Sequence, residues 1–129
     1  MYYLPQEIEV WYVIPAIRSW LARCMIEDFD SSYEKIGKIL GVSRAAISQY
    51  VKGKRAAKIK LPKELGPRIL SSCKILIKDE TRTVEEIDKI INQIRTKEMT
   101  FSVCGKLKEG FLDDCSEVKF KDGNYRRVP

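Results

Sequence analysis

Ser43, Arg44, Ala45, Ser48 and Gln49 fall within one short stretch of the chain and are followed closely by Lys52, Lys54 and Arg55. The set comprises two hydroxyls, a guanidinium, a methyl and an amide, then three cations. If the stretch is helical, Ser43, Arg44, Ala45, Ser48, Gln49 and Lys52 point away from a core side marked by Ile47 and Val51. Such a face suits base edges. Arginine bonds guanine O6 and N7 with both arms of its fork, glutamine bonds adenine N6 and N7, and a methyl touches that of thymine. Lys52, Lys54 and Arg55, at the far end, suit phosphates, which position a protein on a duplex without reading its sequence.

The charge balance points the same way. The 129 residues carry a net charge of +6, and from Lys35 to Lys63 there are nine Lys or Arg with no Asp or Glu, so the remainder is slightly acidic. A polyanion is the natural partner for that central segment, because neutralised phosphates release condensed counterions. Other chemistries lack their residues. There is no histidine, which removes Ser-His hydrolases, His-based proton relays and most zinc enzymes. Neither GxGxxG nor GxxxxGK[ST] occurs, so nucleotide-binding loops have no support. Glu34, Asp113 and Asp114 read better as a cap and loop charges than as catalytic acids, and the chain is expected not to be an enzyme and to need no cofactor.

The cysteines leave three readings open. Cys104 and Cys115 could form a local disulfide, an arrangement rare in the cytosol outside redox sensors and hyperthermophiles. Cys73, Cys104 and Cys115, with Cys24 or Asp114, could hold zinc or an iron–sulfur cluster, although no CxxC pair is present. Alternatively the thiols are reduced, with Cys24 and Cys73 acting as small hydrophobes on helix faces.

Several elements must position the polar face. Ile14, Ile17, Leu21 and Met25, with Trp20 and Cys24 beside them, predict a helix over about Pro15–Phe29, with Pro15 interrupting the run and a short segment ahead of it. Ile8, Val10, Trp11, Val13 and Ile14 are too apolar to be exposed and are expected in the core or in a subunit contact. Ser31 or Ser32 caps the next helix, about Tyr33–Leu40, with Ser31 and Glu34 as a capping box. Gly41 ends it, Ser43 opens a second helix over about Arg44–Lys52, and Gly53 closes that. Together these form a helix-turn-helix. Gly37 gives the small residue where the units touch, Gly41 tolerates positive φ in the turn, and Ile36, Leu40, Val42, Ile47 and Val51 face inward.

Lys54–Lys60 reads as an irregular basic connection. A helix then begins near Pro62, regular over about Pro67–Lys78, with Ile69, Leu70, Cys73, Leu76 and Ile77 as its apolar face. Thr83 and Glu86 suggest a second capping box. Val84, Ile87, Ile90, Ile91 and Ile94 mark an amphipathic helix to about Lys97, long enough to serve as a dimer seam. In the tail, Asp122-Gly123 suits a type I′ hairpin turn that would set Phe120 opposite Tyr125. The longest apolar run, Val10–Ala16, is too short to span a bilayer, and the first residues lack the pattern of a signal peptide, so a cytoplasmic protein without membrane contact is expected.

The run from Glu34-Lys35-Ile36 through Arg55 resembles the lambda-repressor-type (XRE-type) helix-turn-helix of archaeal predicted transcriptional regulators, and Glu7–Arg18, EIEVWYVIPAIR, is similar to the start of that family. The resemblance covers roughly residues 4–115 and is strongest over Tyr33–Arg55. The chain departs from the family pattern at Phe101, where the first cysteine of a CxxC pair would fall, which weakens the case for a metal site in the tail. The resemblance implies an all-α, lambda-repressor-like bundle with an additional C-terminal helix and a small irregular or β-hairpin tail. The chain is expected to divide into a helix-turn-helix DNA-binding domain over residues 1–80 and a C-terminal helix with a cysteine-containing tail, a candidate dimerisation region, over 81–129. The resemblance also implies a homodimeric regulator of double-stranded DNA. The competing expectations are a protein-interaction module, such as an antitoxin or adaptor, and an RNA-binding protein using the same basic surface.

Overall fold

In a computed structural model the chain is described over residues 5–56, 59–103 and 116–128. It is mostly helical, with a small antiparallel sheet of four strands. The order is α1 (Pro5–Ile8), a π turn (Glu9–Val13), α2 (Ile14–Phe29), α3 (Tyr33–Leu40), α4 (Arg44–Val51), β1 (Ile59–Lys60), a 3-10 turn (Lys63–Leu65), α5 (Gly66–Lys78), a 3-10 turn (Glu80–Arg82), α6 (Thr83–Thr96), β2 (Thr100–Val103), β3 (Ser116–Lys121) and β4 (Asn124–Arg127).

Pro15 does not break the N-terminal helix. The preceding turn widens to π register, with the Ile14 N–H bonded to the Glu9 carbonyl, and helix continues on both sides. A wider turn relieves the clash between a proline ring and the carbonyl four residues earlier. The π turn also divides the apolar N-terminal run. Ile8 and Val13 are buried, whereas Val10 and Trp11 are 57% and 44% exposed; these two are therefore not core.

Ile17, Leu21 and Met25 of α2 are fully buried, and this helix packs against α3, α4, α5 and α6. On α5, Ile69, Cys73 and Leu76 are buried and Ile77 is partly so, but Leu70 is exposed. On α6, Ile87, Ile90, Ile91 and Ile94 join the same hydrophobic cluster as α2 and α5, while Val84 is 82% exposed. The isoleucine stripe proposed as a dimer seam is thus buried within a single chain. Residues on both sides of position 80 contribute to that cluster.

Two sequence-predicted caps differ. Ser32, not Ser31, caps α3, its Oγ accepting the Lys35 N–H at 3.1 Å. The Thr83–Glu86 capping box does not form. Thr83 Oγ1 instead donates to the Ile39 carbonyl at 2.6 Å, serving an acceptor in the last turn of α3. Glu86 turns inward, fully buried, accepting from Ser72 Oγ at 3.0 Å and Lys89 Nζ at 3.2 Å.

The sheet exceeds the expected hairpin and corrects the all-α expectation. The hairpin itself is present: Asp122 and Gly123 both have positive φ, and Phe120 pairs with Tyr125. Its first strand pairs with β2, and β2 pairs with β1, so part of the connection expected to be irregular is a strand. Ile59, Phe101, Val103, Val118 and Tyr125 are buried on one face; Lys60, Thr100, Glu117, Lys121, Asn124 and Arg126 are exposed, the period-two alternation of a half-buried sheet. Phe101 and Phe120 meet the Tyr125 ring edge-on at 5.8 and 5.0 Å between centroids.

The sheet is tied to the helices through a buried carboxylate. Glu9, on the π turn, accepts Arg95 Nε at 2.7 Å and Tyr125 Oη at 2.5 Å, and Arg95 Nη2 completes a two-pronged pair. Arg95 also lies 5.8 Å from the centroid of the Phe120 ring. A carboxylate removed from water requires this degree of pairing.

Candidate nucleic-acid interface

The turn between α3 and α4 is built by short-range steric requirements. Gly41 caps α3 with φ of 68°, a left-handed conformation that glycine adopts without penalty. A Cβ on Gly37 would come within 2.8 Å of the Val42 carbonyl oxygen, so the small residue is required against the backbone of the turn. Ser43 caps α4, its Oγ accepting the Ala46 N–H at 3.1 Å. At the far end, Lys54 N–H bonds the Gln49 carbonyl and Gly53 N–H the Tyr50 carbonyl, with Gly53 at φ 69°. This is the paired closure of a glycine-terminated helix.

Ala46, Ile47 and Tyr50 bury one side of α4 against α2 and α3. Tyr50 takes the inward position expected of Val51, which is exposed. Ala46 and Tyr50 lie four residues apart on one column, and Val51 falls at its margin in the final turn. The opposite side carries Arg44, Ala45, Gln49 and Lys52, all exposed, and Ser48, half-buried; Ser43, Lys54 and Arg55 are exposed at the two ends. All eight sequence-predicted site residues therefore lie on or beside one helix. Arg44 also lines an open groove of about 410 Å³ with Tyr33, Glu34, Gly37, Lys38 and Val42. Lys38, which the sequence reading did not single out, is exposed on α3 and shares this groove with Arg44.

Cys24 and Cys73 are free and buried. Cys24 Sγ donates to Asp28 Oδ2 at 3.3 Å, and Cys73 Sγ to the Leu21 carbonyl at 3.6 Å. Burial pushes both thiols up from the ordinary cysteine value. Cys104, Cys115, Asp113 and Asp114 lie outside the described residues, and with them the candidate disulfide and most of the candidate metal set. Among the described residues no group of three or more His, Cys, Asp or Glu is placed to hold a metal ion, and no helix is long and apolar enough to cross a membrane.

Compared with known proteins, the chain matches no family model, no curated protein and no solved structure.

Proposed function

We propose that the chain is a sequence-specific regulator that binds double-stranded DNA, with α4 in the major groove. The observation that carries this reading is the polar side of α4: Arg44, Ala45, Ser48, Gln49 and Lys52 turned outward on a short helix whose other side is buried. In the lambda-repressor-like arrangement that the sequence resembles, the N-terminal part of the second helix meets base edges. Arg44, Ser48 and Gln49 then read bases, and Lys54 and Arg55 hold phosphates. The isoleucine stripe of α6 is not available to a second copy. The homodimer in this reading would instead use the exposed Val10 and Trp11, with half-sites about 34 Å apart. Sedimentation at micromolar concentration checks that association.

The decisive experiment is selection of bound duplexes from a random DNA pool, followed by titration of the winner over a salt series. Binding must weaken steeply as salt rises. Arg44→Ala is expected to cost about 1–3 kcal/mol and to relax preference at particular base pairs, whereas Lys54→Ala should weaken all sequences alike. If no sequence is enriched, or if Arg44→Ala leaves the selected site bound as before, the reading fails.

A further inference from the structure

The outward face of the sheet carries cations that the reading head does not use. Lys60 on β1, Lys119 and Lys121 on β3 and Arg126 on β4 alternate with the buried positions and so share that face. Lys119 and Arg126 are direct partners across β3 and β4. Like charges opposed in this way destabilise a strand pair, since their Cβ atoms stand only about 5 Å apart. The relief available is slight: Glu98 approaches Lys119 Nζ at 3.9 Å, with both side chains substantially exposed. Glu117 is the acid on this face among the described residues, and it lies in the row of Lys60 and Ser102 rather than that of the opposed pair. A row that folding alone would disfavour is one that a bound anion would stabilise.

The position fits a particular anion. Strand β1 follows α4 by way of the basic connection Lys52–Arg55. Lys60 follows Val51 by nine Cα–Cα steps, a span of at most roughly 32 Å, which is less than one turn of B-form DNA at about 34 Å. The start of the sheet therefore lies within one duplex turn of α4.

We infer that the outward face of the sheet, centred on Lys119 and Arg126 with Lys60 and Lys121 beside them, is a second contact for the phosphate backbone of the duplex that α4 reads. This rests on the proposed function. The sheet acts as a wing: it adds affinity and salt dependence without reading bases.

The test titrates the selected duplex with the wild-type chain and with the double variant Lys119→Gln/Arg126→Gln, each over a salt series and each with a thermal melt. The double variant is expected to bind on the order of tenfold more weakly at about 0.1 M salt. Its log K against log salt should be shallower by about 1.8, at 0.9 per lost phosphate contact. Base preference should not change, and the melting temperature should be equal or higher, because the opposed cations are gone. A second variant, Lys60→Gln/Lys121→Gln, should show the same signature. Unchanged affinity and slope in both variants, with the wild type still binding, would overturn the wing and leave the function of α4 standing. Preference for an RNA hairpin over the duplex at this face would likewise overturn it. Failure of the wild type to bind any duplex would remove both.

Discussion

In the α3–α4 unit, the side-chain bonds that start each helix span three residues, from Ser32 to Lys35 and from Ser43 to Ala46, and a single remote one, from Thr83 to the Ile39 carbonyl, reaches the end of α3. At the junction between sheet and helices, the corresponding bonds join Glu9 to Arg95 and Tyr125, across 86 and 116 residues. The first region is set by caps and glycines, the second by a buried carboxylate that needs both of its remote partners. A local unit tolerates damage to its neighbours, whereas a remote clamp loosens the elements it joins when its charged partner is removed. The α3–α4 unit has the first design and the body that carries it the second, so mutations in the two regions should have separable effects.

The largest effect should come from Arg95→Ala. Removing one partner of a buried ion pair costs about 3–5 kcal/mol when both groups are buried. Arg95 is about a third exposed while Glu9 is not, which lowers the expectation to about 2–3 kcal/mol, read as a shift in the urea midpoint. Hydrogen exchange should show the sheet loosening while the amides of α3 and α4 stay protected. If protection in the two helices falls equally, the regions are not independent and the comparison fails.

Gly37→Ala tests the other side. The added methyl meets backbone rather than a movable side chain, and the strain should cost about 1–3 kcal/mol, less a gain of up to about 1 kcal/mol in helix propensity. The displaced turn should also weaken DNA binding by more than the stability change alone explains, as anisotropy would show. Ser43→Ala removes a cap and should cost about 1 kcal/mol by thermal melt. Restoration by Ser43→Asp would assign the loss to the cap.

Tyr125→Phe should have a similarly small effect at neutral pH, about 1 kcal/mol, together with a pH signature. Burial first, and then the Glu9 carboxylate, raise the Tyr125 hydroxyl well above its ordinary value near 10.0. The folded chain holds this proton more tightly than the unfolded chain. Its contribution to stability is complete below about pH 10 and is lost as pH rises beyond that. Denaturant midpoints measured from pH 7 to 11 should fall less steeply above pH 10 in Tyr125→Phe than in the wild type. Parallel curves would show that Tyr125 is not held in this way.

The same comparison explains which features were legible in the sequence. Gly41, Ser43, Gly53 and Asp122-Gly123 each impose a backbone conformation on their immediate neighbours, and every one of these turns or caps was readable from residue types. The hairpin register, Phe120 against Tyr125, followed from the turn alone. The outward placement of the candidate residues on α4 was legible because helical periodicity assigns sides to any helix whose apolar column is known. Val51 is misplaced where the column meets the helix end; Pro15 stands in the first turn of α2 as expected, and only the interruption before it is absent, because a π turn absorbs the donor a proline lacks.

Other features depended on which surfaces meet. Thr83 and Glu86 had the residue types of a capping box, but each found a stronger partner elsewhere, Ile39 and Ser72. Val10, Trp11, Leu70 and Val84 are apolar and nonetheless exposed, because the core had been filled by others. The strands β1 and β2, of two and four residues, are too short to persist alone and exist through pairing with a hairpin far along the chain.

What the sequence determined by itself was the conformation fixed within a turn or two of backbone: the caps, the left-handed glycines, the hairpin, and hence the outward side of α4. What tertiary structure alone decided was how distant surfaces were shared: the isoleucines of α6 to the core, β1 to the sheet, and Glu9 to Arg95 and Tyr125. The physical reason is that steric and capping preferences act over a few residues, while burial and pairing are settled only when segments far apart in sequence compete for the same neighbours.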